Sequence, residues 1–463
     1  MDLKEGFNGS LKENKHAITA ILHPMQDLSF HPILLPSQPA VEGCLIRLKG
    51  ISDDTKVTEK ILQPILNSNE IPLKKDFLKK LTRRVLASDL SIGTSPMEAA
   101  EAVLEGHTVL LIDGYKGFID LETSGGEHRP VEEASSQMVI RGPKESFNET
   151  IRTNTALIRR RLKTHDLKLE QLKIGEISAT KVNLMYLESK ASPATLKLIR
   201  KRLKDNETKL VLESGYIERV LEDHQVTLFP TINHTERPDE VVSSLIAGRI
   251  ALLIDGTPFV LLCPTSFKHY FYSPEDLYQS NAAGKLILLL RYLSFFLSVF
   301  APSIYIGMIT HHQALIPTSL LISLYSQREG VPFPALIEVL IMEVTFEILR
   351  EAGVRLPRAI GQAISIVGAL VIGQTTVQAG LVSTAVVIVV SITAISSFTL
   401  PNYSLAITAR MVRFILMFVT YFLGYYGLML AAIMFAGHLY QITTLGTPYM
   451  SKGMQAGKGG SKT

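Results

Sequence analysis

One long stretch of the chain is almost devoid of charge, and it constrains the fold more than any other feature. Between Ala359 and Met450 the only charged residues are Arg410 and Arg413. Charged residues make up 19% of the whole chain, against about 25% in a typical soluble domain. A segment of this length with two charges cannot present a solvated surface, so the sequence excludes a purely water-soluble protein.

The apolar segments are long enough to cross a bilayer, which takes about 20 residues per helix. They are Leu286–Ile309, Ala359–Ala379, Leu381–Leu400 and Met411–Ala436. We therefore predict an all-α multipass membrane domain over residues 281–445 and a basic tail over 446–463. Whether or not the chain crosses once more between residues 311 and 352, the lysine tail falls on the opposite side of the membrane from the arginines. These are Arg350, Arg355, Arg358, Arg410 and Arg413. The positive-inside rule therefore leaves the number of crossings open.

The first 280 residues have a different character, with a net charge of −2. Nucleic-acid binding needs a concentrated basic face, so we expect no nucleic-acid partner. The two cysteines, Cys44 and Cys263, are far apart and form no zinc-binding spacing, which favours a reducing compartment. The N-terminus is polar and shows no signal peptide, so we expect this part to be cytoplasmic.

An internal repeat divides this soluble part into two related α+β subdomains. When Ser244–Thr265 is aligned with Ala102–Thr123, seven of 22 positions are identical, including Leu-Leu-Ile-Asp-Gly in both copies. The Asp-Gly pairs predict tight hairpin turns, which explains Asp113 and Asp255 without catalysis. We predict a flexible arm over 1–30, one subdomain over 31–165 and a second over 166–280.

The helix predicted over Pro334–Ala352 carries the most informative polar residues. Four of them lie on one face of the helix, and the fifth, an acid, lies among apolar residues on the other side. In order they are Glu343, Glu347, Arg350 and Glu351, and then Glu338. One interpretation is a pore or gating helix whose acids form rings in a symmetric oligomer and attract cations. The alternative is an amphipathic interfacial helix with Glu347–Arg350 and Glu351–Arg355 pairs.

Small residues recur every fourth position in the next apolar segment and predict close helix packing. They are Gly361, Ser365, Ala369 and Gly373. Two basic clusters, Arg159–Arg161 and Lys197–Lys204, are interpreted as solvated faces, with docking onto anionic lipid headgroups as the alternative. His311 and His312 are adjacent and do not face one metal ion. No Walker, GxSxG, HExxH or Rossmann motif occurs, so we expect no enzyme activity, cofactor or metal.

Several longer blocks resemble one protein family. In chain order they are Arg141–Phe147, Asn154–Arg161, Thr235–Asp239, Ile254–Pro258, Pro332–Pro334, Arg350–Gly353, Val367–Gln374 and Pro448–Tyr449. With these blocks the chain resembles, from about Val41 to Met450, the A subunits of the spore germinant receptors of endospore-forming bacteria, the GerA family.

The resemblance implies a multipass protein of the spore inner membrane with a cytosolic N-terminal domain. It implies two partners, a transporter-like B subunit that recognises the nutrient and a lipoprotein C subunit. It further implies a homo-oligomeric ion channel that responds to nutrients and triggers germination. A non-conducting membrane scaffold, or an accessory protein of the SpoVAF type, is the alternative. The sequence does not identify the germinant, the ion or the subunit number.

Overall fold

The computed structural model describes residues 6–23, 25–36, 40–66, 90–125, 141–206, 208–223, 227–356 and 371–451. These residues form two compact units. The first is an α+β unit made of Met1–Asp223 and Ile232–Thr265. The second is a helical unit made of His224–Thr231 and Ser266–Gly453. The chain therefore passes into the helical unit twice.

The first half of the α+β unit contains a five-stranded antiparallel sheet with helices packed against it. Its elements are α1 (Leu11–Leu22), β1 (Leu28–Leu35), β2 (Val41–Leu48), α2 (Asp54–Lys56), a π-helical turn (Val57–Leu62), α3 (Gln63–Leu66), β3 (Leu90–Gly93), α4 (Pro96–Glu105), β4 (Thr108–Ile112) and β5 (Phe118–Leu121). The strand order is β1-β2-β4-β5-β3.

The second half repeats this arrangement. Its elements are α5 (Ile151–Arg161), β6 (Leu167–Ile174), β7 (Thr180–Leu187), α6 (Pro193–Lys204), α7 (Ser214–Leu221), β8 (Asn233–Thr235), α8 (Pro238–Ile246), β9 (Ile250–Ile254) and β10 (Val260–Cys263). The strand order is β6-β7-β9-β10-β8, which is the order of the first sheet. The predicted pair of related α+β subdomains is therefore present.

The same hydrogen bonds fix the first helix of each half. Asp113 Oδ1 accepts from the backbone N–H of Leu11 at 3.0 Å, and Asp255 Oδ1 accepts from that of Ile151 at 3.2 Å. In both halves the turn aspartate thus bonds one of the N–H groups that a helix start leaves free. The Asp-Gly pairs of the hairpins therefore serve structure, as the sequence indicated.

Two of the predicted boundaries differ from the structure. Residues 11–22 of the predicted flexible arm form α1, because Ile18 and Leu22 are fully buried in the core of the first sheet. Helix α5 lies N-terminal to the predicted boundary at residue 166. Its apolar residues nevertheless pack into the core of the second sheet, together with Leu167 and Leu253. The second repeat therefore begins before α5.

In its described residues, the helical unit contains four long helices and several short elements. Its elements are a 3₁₀ turn (Phe267–Phe271), α9 (Glu275–Tyr278), α10 (Asn281–Thr310), a second 3₁₀ turn (Gln313–Leu315), α11 (Thr318–Arg328), α12 (Ala335–Arg355), α13 (Thr384–Phe398), α14 (Tyr403–Gln441), β11 (Thr443–Thr444) and β12 (Thr447–Pro448). Among the described residues, α10 and α14 are long and apolar enough to cross a membrane, and α13 is a shorter apolar helix.

Helix α14 is a helical hairpin. At Gly424 the backbone leaves the helical region (φ 61, ψ −153). Thr408 donates to the carbonyl oxygen of Leu228 at 2.5 Å, and the Thr227 hydroxyl lies 3.2 Å from His438 Nε2. In a straight helix Thr408 and His438 would be about 45 Å apart. Because both contact neighbouring residues, the halves 403–423 and 425–441 run antiparallel.

The hairpin defines two ends of the helical unit. We call the end that holds Thr408 and His438 the near end and the end that holds Gly424 the far end. Helix α10 ends at the far end, where His311 Nε2 lies 2.7 Å from the carbonyl oxygen of Tyr421. Gly424 is required there, because an added Cβ would lie 2.9 Å from His312 Cε1. The span that the sequence indicated over Met411–Ala436 is thus two half-helices.

Spin labels test the hairpin. Cysteines introduced for Tyr403 and Tyr440, both exposed, are expected to give a label separation below about 30 Å, whereas a straight helix would give about 55 Å. The native Cys44 and Cys263 are buried and should stay unlabelled. Double electron–electron resonance measures the distance. Labels at Tyr403 and Tyr426 are the control, since both shapes place them about 35 Å apart.

Candidate functional site

The inward side of α12 carries two acids beside apolar residues such as Leu336 and Val339, and its outward side is apolar. Glu338 and Glu343 are 0% and 1% exposed, whereas Val344 and Ile348 are 48% and 64% exposed. A helix in a water-soluble protein would bury the apolar side instead. Glu338 and Glu343 are therefore placed among other helices and are not displayed on the outer surface of this chain.

Each buried acid of α12 meets an arginine. Arg413 donates to Glu343 at 2.5 Å, with both side chains almost fully buried. One turn along, Glu347 accepts from Arg410 at 2.9 Å and also from Arg350 on its own helix. Arg410 and Arg413 are the two charged residues between Ala359 and Met450. In the structure each of them has a carboxylate partner.

The predicted acid on the apolar side, Glu338, is also paired. Its Oε1 accepts from Arg328 of α11 at 3.0 Å, and its Oε2 accepts from the backbone N–H of Ser383 at 3.0 Å. The Ser383 hydroxyl in turn lies 3.5 Å from the Tyr305 hydroxyl of α10. Glu338 therefore links α11, α12 and the start of α13 near the far end.

The Glu343–Arg413 pair is incompletely bonded. Glu343 Oε1 and Arg413 Nε are buried, and neither has a hydrogen-bond partner in the described part of the chain. Taking charges out of water costs several kcal/mol per ion, and that cost is recovered only if the remaining polar atoms are also bonded. This pair is therefore the least compensated of the network.

The remaining predicted residues of α12 lie nearer the surface. Glu351 pairs with Arg355 at 2.6 Å, and both side chains are more than half exposed. The Glu347–Arg350 and Glu351–Arg355 pairs that the interfacial interpretation required are thus both present. What sequence reasoning missed is the role of Arg328, Arg410 and Arg413. The signal was available, since lone arginines in an apolar stretch require buried acids.

The predicted small-residue packing site falls largely outside the described residues. Gly361, Ser365 and Ala369 lie there. Gly373 lies in a helical segment over 371–378, and an added Cβ would stand 3.8 Å from Val387, an ordinary contact distance. Close packing along this segment stays a prediction.

The two basic clusters of the α+β unit are only partly solvated. Arg159 is 1% exposed and binds Asp27 at 3.1 and 3.2 Å, which joins the two repeats. In the other cluster Arg200 binds Glu170. Burial alone would raise the pKa of Glu170, but hydrogen bonds from Arg200 and Tyr186 outweigh it and hold the pKa below its usual range. Lys197, Lys201 and Lys204 are exposed.

His311 and His312 do not meet at one point. His312 stacks on Tyr425 with ring centroids 4.6 Å apart, whereas His311 bonds the broken helix at Tyr421. In the described part of the chain, no group of three or more His, Cys, Asp or Glu side chains is placed to hold a metal ion.

Comparison with known proteins assigns the family. The model of the Bacillus/Clostridium GerA spore germination proteins matches residues 16–460. The chain belongs to the GerA family. It is 42% identical over 425 residues to spore germination protein KA of Bacillus subtilis strain 168, covering 92% of this chain and 78% of that protein. It is 41% identical to the membrane protein YfkQ of the same strain, covering 96% of this chain and 86% of YfkQ.

A solved structure is also similar to this family member. It is the crystal structure of the N-terminal domain of the A subunit of the Bacillus megaterium spore germinant receptor GerK3. Sequence identity is 30% and the TM-score is 0.45, covering 57% of this chain and 98% of that domain.

The buried ion pair yields a stability prediction. Arg413→Ala leaves Glu343 buried without its counter-charge, which should cost about 3–5 kcal/mol of unfolding free energy. Arg355→Ala breaks an exposed pair and should cost about 0–1 kcal/mol. Denaturant unfolding of the detergent-solubilised full chain measures both.

A double variant separates charge from packing. Glu343→Leu combined with Arg413→Met replaces the pair by apolar groups and should recover most of the stability lost in Arg413→Ala. The role of the buried pair would be contradicted if Arg413→Ala and Arg355→Ala lost equal amounts of unfolding free energy. It would also be contradicted if the double variant recovered none of the loss.

Proposed function

We propose that this GerA-family chain is the A subunit of a spore germinant receptor, responding to nutrients and triggering germination. In this proposal it acts with a transporter-like B subunit that binds the nutrient and a lipoprotein C subunit. Its helical unit is multipass in the spore inner membrane, and its α+β unit is cytoplasmic. Family membership supports the role in germination, and the two long apolar helices support the membrane location.

The distribution of cations supports the orientation. Near-end residues include Arg291, beside the first 3₁₀ turn, and Arg410, in the turn that follows Thr408. Helix α12 approaches the same end with Arg350 and Arg355. Cations concentrate on the cytoplasmic side of membrane proteins. A hairpin at Gly424 also returns the chain to the near end before the lysine tail. The tail and Arg410 then lie on the same side of the membrane, as the positive-inside rule favours, whereas a single crossing would separate them.

We infer that the helical unit conducts ions as a homo-oligomer and that the arginine–glutamate ladder between α12 and α14 sets its closed state. The observation that carries this is the spacing of the charges. Glu343 and Glu347 face Arg413 and Arg410 in antiparallel register, and Glu351 stands one turn further along α12. A shift of α14 by one turn, about 5.4 Å, would place Arg413 opposite Glu347 and Arg410 opposite Glu351.

Two single substitutions should have opposite effects under this ladder. Glu343→Gln removes a pair made only in the present register, so it should speed cation release and reduce its dependence on nutrient. Glu351→Gln removes a pair made only in the shifted register, so it should slow cation release. A change of about tenfold in rate corresponds to about 1.4 kcal/mol between the two registers.

Cation release from spores with matched protein levels is the measurement. Glu176→Gln, an exposed acid of the α+β unit, is the control and should behave as wild type. Unchanged release in both Glu343→Gln and Glu351→Gln, or the same direction of change in both, would contradict the ladder.

A non-conducting scaffold is the second candidate function. It is favoured by the pairing of every acid that α12 carries with an arginine, because paired acids attract cations poorly. Purified protein in liposomes distinguishes the two: ion flux supports the channel, and its absence from oligomeric protein supports the scaffold.

A further inference from the structure

One histidine of the first repeat is paired with an acid, and neither residue belongs to the sites described above. His107 lies between α4 and β4, and Asp120 lies on β5. The Nδ1 atom of His107 is 2.9 Å from Oδ1 and 3.1 Å from Oδ2 of Asp120. Because a carboxylate only accepts, the Nδ1–H group is the donor. The contact becomes an ion pair when the imidazole takes up its second proton.

The pair joins three elements of the first repeat. Gly106 ends α4 with a φ of 96°, and the backbone N–H of His107 bonds back to the last turn of that helix. His107 is thereby fixed at a helix C-terminus, where the helix dipole favours a cation. Asp120 stands opposite Ser91 of β3, and the Ser91 hydroxyl donates to Asp120 Oδ2 at 3.4 Å. Strand β3 is an edge strand that pairs with β5 alone, so it depends directly on these contacts.

The charges around the pair are unbalanced. Glu105, at the end of α4, and Glu122, just after β5, both act electrostatically on His107. Glu105 is 3.9 Å from Lys163, and both of these side chains are about half exposed. In the described part of the chain, no second cation is paired with Asp120. When the imidazole loses its charge, three acids are therefore left with one exposed lysine.

The pair is strongest at low pH. Its hydrogen bond raises the pKa of His107 above the ordinary value of about 6.5, burial opposes this change, and the charges of Asp120, Glu105 and Glu122 add to it. A group whose pKa is higher in the folded than in the unfolded chain stabilises the fold fully below its unfolded pKa. That stabilisation is lost as the pH rises through the folded pKa. The contribution of this pair therefore fades as the pH rises above about 6.5.

The second repeat carries a permanent cation at the matching position. In the alignment of the two repeats, His107 corresponds to Arg249 and Asp120 corresponds to Leu262. A guanidinium stays charged at any physiological pH, whereas an imidazole does not. The titratable pair is thus a property of the first repeat, and the second repeat shows that an arginine fits at this point of the fold.

We propose that His107 and Asp120 form a pH-sensitive latch, in which protonated His107 holds β5, β3 and the end of α4 together and deprotonation loosens β3. The latch reads the pH of the compartment that surrounds the α+β unit. It goes beyond the proposed function and does not rest on it, because the pair titrates without another subunit and without ion flux.

Hydrogen–deuterium exchange on the purified full chain in detergent tests the latch. Protection factors are compared, because they divide out the intrinsic pH dependence of exchange. Between about pH 6 and pH 8.5, protection in peptides that include residues 90–94 should fall at least about threefold, since opening of β3 releases the extra proton affinity of His107. His165→Arg, at an exposed histidine of the same unit, is the control and should show the same fall.

Two substitutions of His107 should remove the response in opposite ways. His107→Arg supplies the permanent cation of the second repeat, so residues 90–94 should keep the low-pH protection at both pH values. His107→Gln keeps a hydrogen-bond donor without the charge, so the same residues should show the high-pH protection at both. Asp120→Asn should also abolish the response, because an amide gives the imidazole no counter-charge.

The latch is overturned if protection of residues 90–94 in the wild-type chain is equal at the two pH values. It is also overturned if the fall persists in His107→Gln or Asp120→Asn. These two variants decide the question even if His107→Arg does not fold. Because exchange is measured on the purified chain, absence of ion flux in liposomes would contradict the channel and leave the latch standing.

Discussion

The helical unit depends on the compensation of a few charges inside an otherwise apolar bundle. Arg410 and Arg413 cannot be buried alone, so α14 must meet a helix that supplies acids at matching intervals. As residue numbers rise from 343 to 347 on α12, their partners fall from 413 to 410 on α14. That pattern exists only between antiparallel helices in one register. The charges therefore fix which helices are neighbours and which way they run, and they stabilise the present offset.

The break at Gly424 is the second constraint, and it follows from length. Thirty-nine residues of continuous helix would extend about 58 Å, nearly twice the apolar thickness of a bilayer. Folding at Gly424 gives two lengths that each suit that thickness. The broken turn leaves carbonyl groups without helical partners, and the approach of His311 Nε2 to the Tyr421 carbonyl places a bonding group there. A side chain at 424 would occupy the space of His312.

The sequence predicts the repeated sheets better than it predicts the helical unit. The Asp-Gly hairpins recur with identical neighbours, and both halves form the same sheet order. Helix α1 was missed because its polar residues obscure the two positions, Ile18 and Leu22, that insert into the core. The hairpin was missed because Gly424 interrupts an apolar run without changing its hydropathy. The sequence identified the acids of α12 but not whether they face the interior or the surface. Helical periodicity separates two faces without showing which one is buried.

The ladder and residues 227–231 constrain the same half-helix from two sides. In the proposed register shift, residues 403–423 move along their own axis while the outward apolar side of α12 keeps its surroundings. The far end can absorb such a shift at Gly424, where the backbone is already non-helical. The near end is held instead by the hydrogen bond from Thr408 to the carbonyl oxygen of Leu228. Any one-turn shift must therefore carry Leu228 with it or break this hydrogen bond.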